Sequence, residues 1–380
     1  MALQVDQKLL AELEKYGAED VRKCFQCGNC SSICHHSTDV FTFPRKQVRM
    51  AQLGLADRLS SSLEPWLCYY CGECSKECPR GAEPGETMMA TRRWLTARYD
   101  FTGISRLFYR SPVAEIVAIV LVALATAAGF FFYGQAHGDI NAYDGPRAFL
   151  PSSAVHVFDW CMAGVLSTLL GVNALRMWWF TTGSGARVKV PLGSYLRKLV
   201  VLPLHFFTQP RFKECEEKRP WFVHLVLMLS YITMLVLIMG FLHYVQEGPE
   251  INWAVHAFGY LASIGLVGAV ALSIRARIAK SAPHAKHSHD SDWIFLAMLI
   301  LVTVTGIVQH VLHRTGANMA ANVTYLVHLG FVVPMLVLEV PFSKWSHMAY
   351  RPLAVYLAEV QRDALSREVP SAASSSQSAV

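Results

Sequence analysis

The chain has 380 residues and a formal net charge of +6, with 53% hydrophobic and only 16% charged residues. That composition is apolar and charge-poor for a soluble protein. The length leaves room for two or three domains, and so small a basic excess gives no reason to expect a nucleic-acid partner. The averages conceal a division. The first hundred residues are polar and cysteine-rich, whereas residues 112–349 carry repeated apolar runs of about twenty residues, long enough to span a hydrocarbon core.

The N-terminal stretch MALQVDQKLLAELEKYGAEDVRK is polar and amphipathic, with Leu9, Leu10, Leu13 and Tyr16 near helical spacing. It does not read as a secretory signal, because the first apolar run begins only near Pro112. Eight of the ten cysteines then fall in two copies of one pattern, Cys24-x2-Cys27-x2-Cys30-x3-Cys34 and Cys68-x2-Cys71-x2-Cys74-x3-Cys78-Pro79. Three closely spaced thiolates and a fourth that crosses to the neighbouring cluster are the spacing of ferredoxin-type [4Fe–4S] loops. The crossing rule groups Cys24, Cys27, Cys30 and Cys78 around one cubane, and Cys68, Cys71, Cys74 and Cys34 around the other. Zinc usually takes two CxxC pairs far apart, and disulfides do not suit the reducing compartment argued below. Clusters held this way pass one electron at a time.

Between the two motifs, FPRKQVRMAQLGL with Arg45, Lys46 and Arg49 predicts a helix, so residues 1–100 read as an α-helical two-cluster ferredoxin domain. A basic connector, 101–111, closes a stretch holding Arg92, Arg93, Arg98, Arg106 and Arg110. Residues 112–350 then hold six candidate spans, at about 113–133, 155–179, 221–244, 253–274, 293–313 and 320–342. An even number puts both termini on one side. Segment 180–219 carries Arg187, Lys189, Arg197, Lys198, Arg211, Lys213, Lys218 and Arg219, and segment 275–292 adds Arg275, Arg277, Lys280 and Lys286; the opposite loops have only Arg147 and Arg314. The positive-inside rule therefore predicts an inner-membrane protein with the cluster domain and both termini in the cytoplasm. Trp160, Trp221, Trp253, Trp293 and Trp345 near span ends read as interfacial aromatics. Residues 351–380 read as a cytoplasmic tail, disordered in part after Arg367.

Ionisable side chains at membrane depth carry a functional expectation. The third and sixth spans run antiparallel, which brings His224 level with His347 and His243 level with His328. Two such pairs would serve as axial ligands of two haems b, each with no open position and so suited to electron transfer. Both spacings are 19 residues, about 28 Å of rise, but that count also rotates an ideal helix by about 100°. Pro334 and Pro341 can absorb the rotation in the sixth span. The third has no proline, so His256 or His310 stands as an alternative to His243. His156, His205 and His313 read as interfacial, His284, His287 and His289 as a solvated loop, and Cys161 and Cys215 as free thiols. Glu115, Asp159 and Glu339 read either as proton-handling groups or as partners of helix-terminal Arg and Lys. No adjacent Cys-Cys pair, no GxGxxG fingerprint (the Gly183-Ser-Gly185 stretch is loop) and no Walker motif occurs, so no disulfide-reducing, flavin, nicotinamide or nucleotide site is expected.

Residues 18–95, through KCFQCGNCSSIC, FPRKQVRMAQLGL and WLCYYCGECSKECPRGAEPGE, resemble the iron–sulfur C subunits of heterodisulfide reductases. Residues 215–350, through RPWFVHLVL and VHLGFVVPMLVLEVPFSKWSHM, resemble the cytochrome b fold of the respiratory nitrate reductase gamma subunit. The two in this order resemble the membrane C subunits of the quinone-interacting membrane-bound oxidoreductase (Qmo) family. The resemblance implies an all-α chain, with a two-cluster ferredoxin domain joined to a six-helix transmembrane cytochrome b bundle. It maps His224, His328 and His347 onto haem ligands, while Met234 stands where that family has its fourth. It implies menaquinone or ubiquinone as substrate, two flavoprotein subunits like heterodisulfide reductase A as partners, and electron exchange with adenylylsulfate reductase in sulfur metabolism. A heterodisulfide reductase-type membrane subunit and a redox-sensing membrane anchor are the rival readings.

Overall fold

The computed structural model describes residues 4–183, 190–246 and 252–376. Arg187, Lys189, Gly185 and the last four residues of the tail lie outside that set. Among the described residues the fold is all helix and turn, with one isolated bridge between Asp139 and Ala148 in place of any strand.

In the first hundred residues, α1 (Leu9–Glu14) buries Leu9 and Leu13, α2 (Arg45–Gln52) buries Val48 and Ala51, and α3 (Pro84–Tyr99) starts at a proline and is buried along most of its length. Proline costs little there, because the first turn has no hydrogen bond to lose. A short α4 (Ile104–Arg110) leads through Ser111, whose side chain caps the next helix by accepting from Ala114 N, into the bundle. The six long apolar helices are α5 (Pro112–His137), α6 (Ser152–Thr182), α7 (Arg219–Gln246), α8 (Trp253–Ala279), α9 (Asp290–Arg314) and α10 (Asn318–Pro334). All six are long and apolar enough to cross a membrane, the last counted through Phe342. Their outer faces expose large apolar side chains such as Leu121, Leu124, Trp179, Ile264 and Val304, as a lipid-facing surface requires. After α10 the chain widens into a π-helical turn, Met335–Glu339, between Pro334 and Pro341.

The C-terminal segment departs from the sequence expectation. Residues 347–376 form one helix, α11 (His347–Ser376), rather than a partly disordered tail. Tyr350, Ala354, Leu357, Ala358 and Val360 are buried in the same core as Leu9, Leu13, Trp66 and Tyr99 of the cluster domain. Trp66 meets Tyr350 with ring centres 5.1 Å apart. The basic 191–213 segment is likewise not an open loop. It folds into short helices that dock on α11 through Arg197–Asp363 (2.6 Å) and Arg211–Glu359 (2.8 Å). Trp345, expected at an interface, is instead buried against Tyr231 and Phe295.

A buried charge network joins the bundle to the cluster domain. His289 caps α9, and Asp292 at the third helical position accepts from His289 N at 3.2 Å. Asp292 also pairs with Lys344, with Arg277 at 3.5 Å and with Arg93 at 4.0 Å. Arg93 in turn bonds Glu86 at 2.8 Å and the Tyr16 carbonyl at 2.7 Å. Removing one member of such a network strands the others without compensation. Asp292→Asn is therefore expected to destabilise the chain by about 3–5 kcal/mol, read as a lowered thermal unfolding midpoint in detergent.

Candidate functional site

The two cysteine motifs fold alike. Each passes through left-handed backbone at Gln26 and Gly28, or Tyr70 and Gly72, and then enters a one-turn helix, Asn29–Ser32 or Glu73–Lys76. Gly28 (φ +94°) and Gly72 (φ +88°) occupy conformations in which a Cβ would be strained. Backbone amides point at sulfur: Tyr70 N lies 3.4 Å from Cys68 Sγ, and Ala82 N lies 3.4 Å from Cys78 Sγ. Cys30 faces Cys24, Cys27 and Cys78, while one small pocket is walled by Cys34, Cys68, Cys71 and Cys74 together. The fourth cysteine of each motif thus sits with the other motif's three. Burial and the neighbouring thiols push the Cys30 thiol up to about 11 and that of Cys34 to about 12, and hold Cys74 well above its usual range. Four such thiols ionise together only around a cation. Among the described residues no three His, Cys, Asp or Glu side chains converge tightly enough for a single metal ion, so the donor set fits a polynuclear iron–sulfur cluster better than zinc.

Two cations stand beside the second cysteine group. Arg92 donates to the Pro65 carbonyl (2.5 Å) and to that of Cys68, and Arg351, one turn along α11 from His347, donates to the Cys68 carbonyl at 3.2 Å. Burial pulls the Arg92 guanidinium down to about 9 and lowers that of Arg351. Their charge suits an anionic thiolate-ligated cluster. Cys215, expected to be a free thiol with no special surroundings, is 2% exposed and packs with Tyr69 and Phe212 against Cys71. Its sulfur lies 3.4 Å from His36 Nε2, and its thiol bonds Cys71, pulling the Cys71 thiol down to about 7.

A cavity of about 880 Å³ opens behind this loop. Cys71, Tyr69, Phe212 and Cys215 line it toward the clusters, and His224, His347 and Arg351 line it toward the bundle. The His224 and His347 ring centres are 6.1 Å apart. Two imidazoles on opposite faces of one iron, each nitrogen about 2 Å from the metal, need a centre separation of about 6 Å. His347 Nδ1 lies 2.5 Å from the Lys344 carbonyl and donates to it, which leaves Nε2 free to ligate. His224 Nδ1 and Arg351 Nε are buried without hydrogen-bond partners. These residues fit a bis-histidine haem. Tyr69 and Phe212, stacked at 5.1 Å, lie between His224 (5.9 Å from Phe212) and the second cysteine group.

The outer half holds His243, His328, His256 and His310. His243 is exposed beside Tyr244, two residues past a break in helical geometry at Phe241. His328 lies against Thr305 (3.0 Å) and Tyr325. The outer histidines that do meet are His256 and His310, at 5.1 Å, with Nδ1 engaged by the Asn252 carbonyl and the Tyr260 hydroxyl respectively. His205 is buried on the cavity wall near Tyr69, His156 bonds the Met239 carbonyl, and His313 stacks on Tyr143. His289 is a helix cap, and His287 faces Glu83 at 3.6 Å rather than lying in a solvated loop. Asp159 is buried and Cys161 exposed.

Residues 20–82 match the 4Fe-4S dicluster domain family, and residues 208–368 match the family described as citrate utilization protein B. A protein of Archaeoglobus profundus described as like the C subunit of heterodisulfide reductase is 34% identical over 97 residues, covering 25% of this chain and 52% of the relative. The iron-sulfur C subunit of the CoB–CoM heterodisulfide reductase of Methanopyrus kandleri is 36% identical over 72 residues, 19% of this chain and 38% of the relative. The N-terminal part is a ferredoxin domain with two [4Fe-4S] motifs, of the kind found in heterodisulfide reductase C subunits. The chain thus joins a ferredoxin domain with two [4Fe-4S] motifs to six helices long and apolar enough to cross a membrane. It spans about half the length, or less, of these curated relatives. No solved structure matches it.

Spacing could not reveal Cys215, whose partner lies 144 positions earlier, or Arg351, whose carbonyl partner on Cys68 lies 283 positions earlier. Hydrogen bonds to cluster sulfurs raise reduction potential. Cys215→Ala is expected to shift one of two cluster potentials to a more negative value and leave the other in place, measured by EPR-monitored titration.

Proposed function

We propose that this chain carries electrons between the membrane quinone pool and cytoplasmic flavoprotein subunits. One haem b would be held by His224 and His347, and the two clusters by Cys24, Cys27, Cys30 and Cys78 and by Cys34, Cys68, Cys71 and Cys74. The observation that carries this reading is the facing His224–His347 pair in a cavity whose other wall is Cys71. A bound haem supplies a one-electron carrier with both axial positions filled. Tyr69, Phe212 and Arg351 shorten the gap from that pair to the second cysteine group and exclude water from it. Oxidation of one quinol releases two electrons and two protons, and carriers of one electron each deliver the electrons singly.

The basic segments lie at the same end as the cluster domain, which supports a cytoplasmic location for both under the positive-inside rule. Partners of the proposed complex are two flavoproteins like heterodisulfide reductase A, with adenylylsulfate reductase as the electron partner, as the Qmo-like arrangement implies. A second reading, the membrane subunit of a heterodisulfide reductase-type complex, is favoured by the relatives' names. Co-purification of a partner bearing adjacent cysteines would select it.

The purified full chain is expected to show b-type absorbance and about eight non-haem irons, as two cubanes require. His347→Ala should abolish the b-type spectrum while keeping the iron. Cys71→Ser should remove one cubane EPR signal and leave the haem. A colourless chain, or a His347→Ala variant with an unchanged spectrum, contradicts the assignment. Mixing with a reduced quinone should reduce the haem at catalytic rates in stopped flow.

A further inference from the structure

Glu115 and Glu339 are both 0% exposed, and each lies within a membrane-spanning segment at the end facing the clusters. Among the described residues no ion pair joins either to an Arg or Lys side chain, and the two face each other beside Ser343. Glu115 sits in the first turn of α5, where the helix N-terminus favours a negative charge. Its Oε1 accepts from Ser343 Oγ at 2.6 Å. Ser343 faces both carboxyls but has one hydrogen, and Glu115 takes it. Both oxygens of Glu339, and Oε2 of Glu115, are buried with no donor reaching them. An acceptor facing an acceptor in a dry site is tolerable only with a proton between them.

We infer that Glu115 and Glu339 form a proton-binding site in which neutral Glu339 donates its hydrogen to the Glu115 carboxylate, and which takes up a second proton when the nearby redox centre is reduced. Glu339, Ser343 and His347 follow one another at four-residue intervals across a bend at Ser343, so Glu339 stands eight residues along the chain from the histidine assigned above to the haem. That coupling, unlike the shared proton, rests on the proposed haem. A bound haem would supply the redox centre, and a chemical reductant would give it one electron. One proton from the aqueous side then neutralises Glu115, and it leaves again on reoxidation. The other titratable groups near the pair are few. Asp290 and Asp292 approach from α9 and Tyr109 from α4. The cations Lys344, Arg277 and Arg93 are held by Asp292. Added negative charge is therefore not matched locally, and a proton is the available counter-charge.

Infrared spectroscopy of the full chain in detergent reads the site directly. Wild type at neutral pH is expected to show a protonated-carboxyl band that shifts in D2O. Glu339→Gln, whose amide can still donate to Glu115, should keep the fold and lose the band; Glu115→Gln should keep the band at a shifted frequency. No such band in wild type, or a band untouched by Glu339→Gln, overturns the shared proton. In the redox arm, the potential of the b-type absorbance should fall with rising pH in wild type and lose that slope in Glu115→Gln, which lacks the carboxylate that takes up the second proton. Equal slopes overturn the coupling. Absence of b-type absorbance would fail the haem assignment alone, since the infrared arm needs no haem.

Discussion

Charge buried where a lipid-facing bundle meets a polar cluster domain is the constraint around which this molecule is organised. α11 is the element on which that constraint acts. Its first residue, His347, faces the cavity at the bundle's end, its second turn sends Arg351 to the Cys68 carbonyl, and the turns beyond are buried against Trp66 and Leu9. A rigid helix spaces these groups at 1.5 Å per residue, so the relation of the bundle to the clusters does not depend on a flexible linker. The Asp292 network on the opposite side closes the junction and prevents rotation about α11.

Each buried group at this junction is costly alone and acceptable in company. Thiols that resist ionisation when buried, guanidiniums held only by carbonyls, an imidazole with an orphaned nitrogen and two facing carboxyls are all groups that desolvation penalises. They alternate in kind along one direction. Sulfur sites come first, with Arg92 and Arg351 beside them, then the histidine pair, and Glu339 precedes His347 by eight residues across the bend at Ser343. Charge of one sign is thus always within reach of the other or of a proton, as a region built to move electrons without large solvent reorganisation requires.

Several sequence expectations failed for one shared reason. Histidine spacing on α7 fixes position along the helix axis, whereas facing is set by helix rotation and by the break at Phe241, and neither is written in composition. The tail after Arg367 is polar and serine-rich, and its disorder was inferred from that composition. The preceding apolar residues Tyr350, Leu357 and Val360 nucleate a helix against a partner more than 280 positions away, and the backbone continues through Ser376. Trp345 sits at a span end like its counterparts, yet it is drawn inward by Tyr231 and Phe295 because the π-helical turn before it redirects the chain.

Local spacing by itself determined the all-helical class, the six apolar spans and the two-cluster cysteine motifs, because ligand loops and membrane spans are built from residues close in the chain. It also placed His224 and His347 at one depth, since rise along a helix is regular. Only the tertiary structure decided that Cys215 and Arg351 stand beside the second cysteine group and that Glu115 faces Glu339. Those relations link residues as many as 283 positions apart, and packing, not proximity along the chain, determines them.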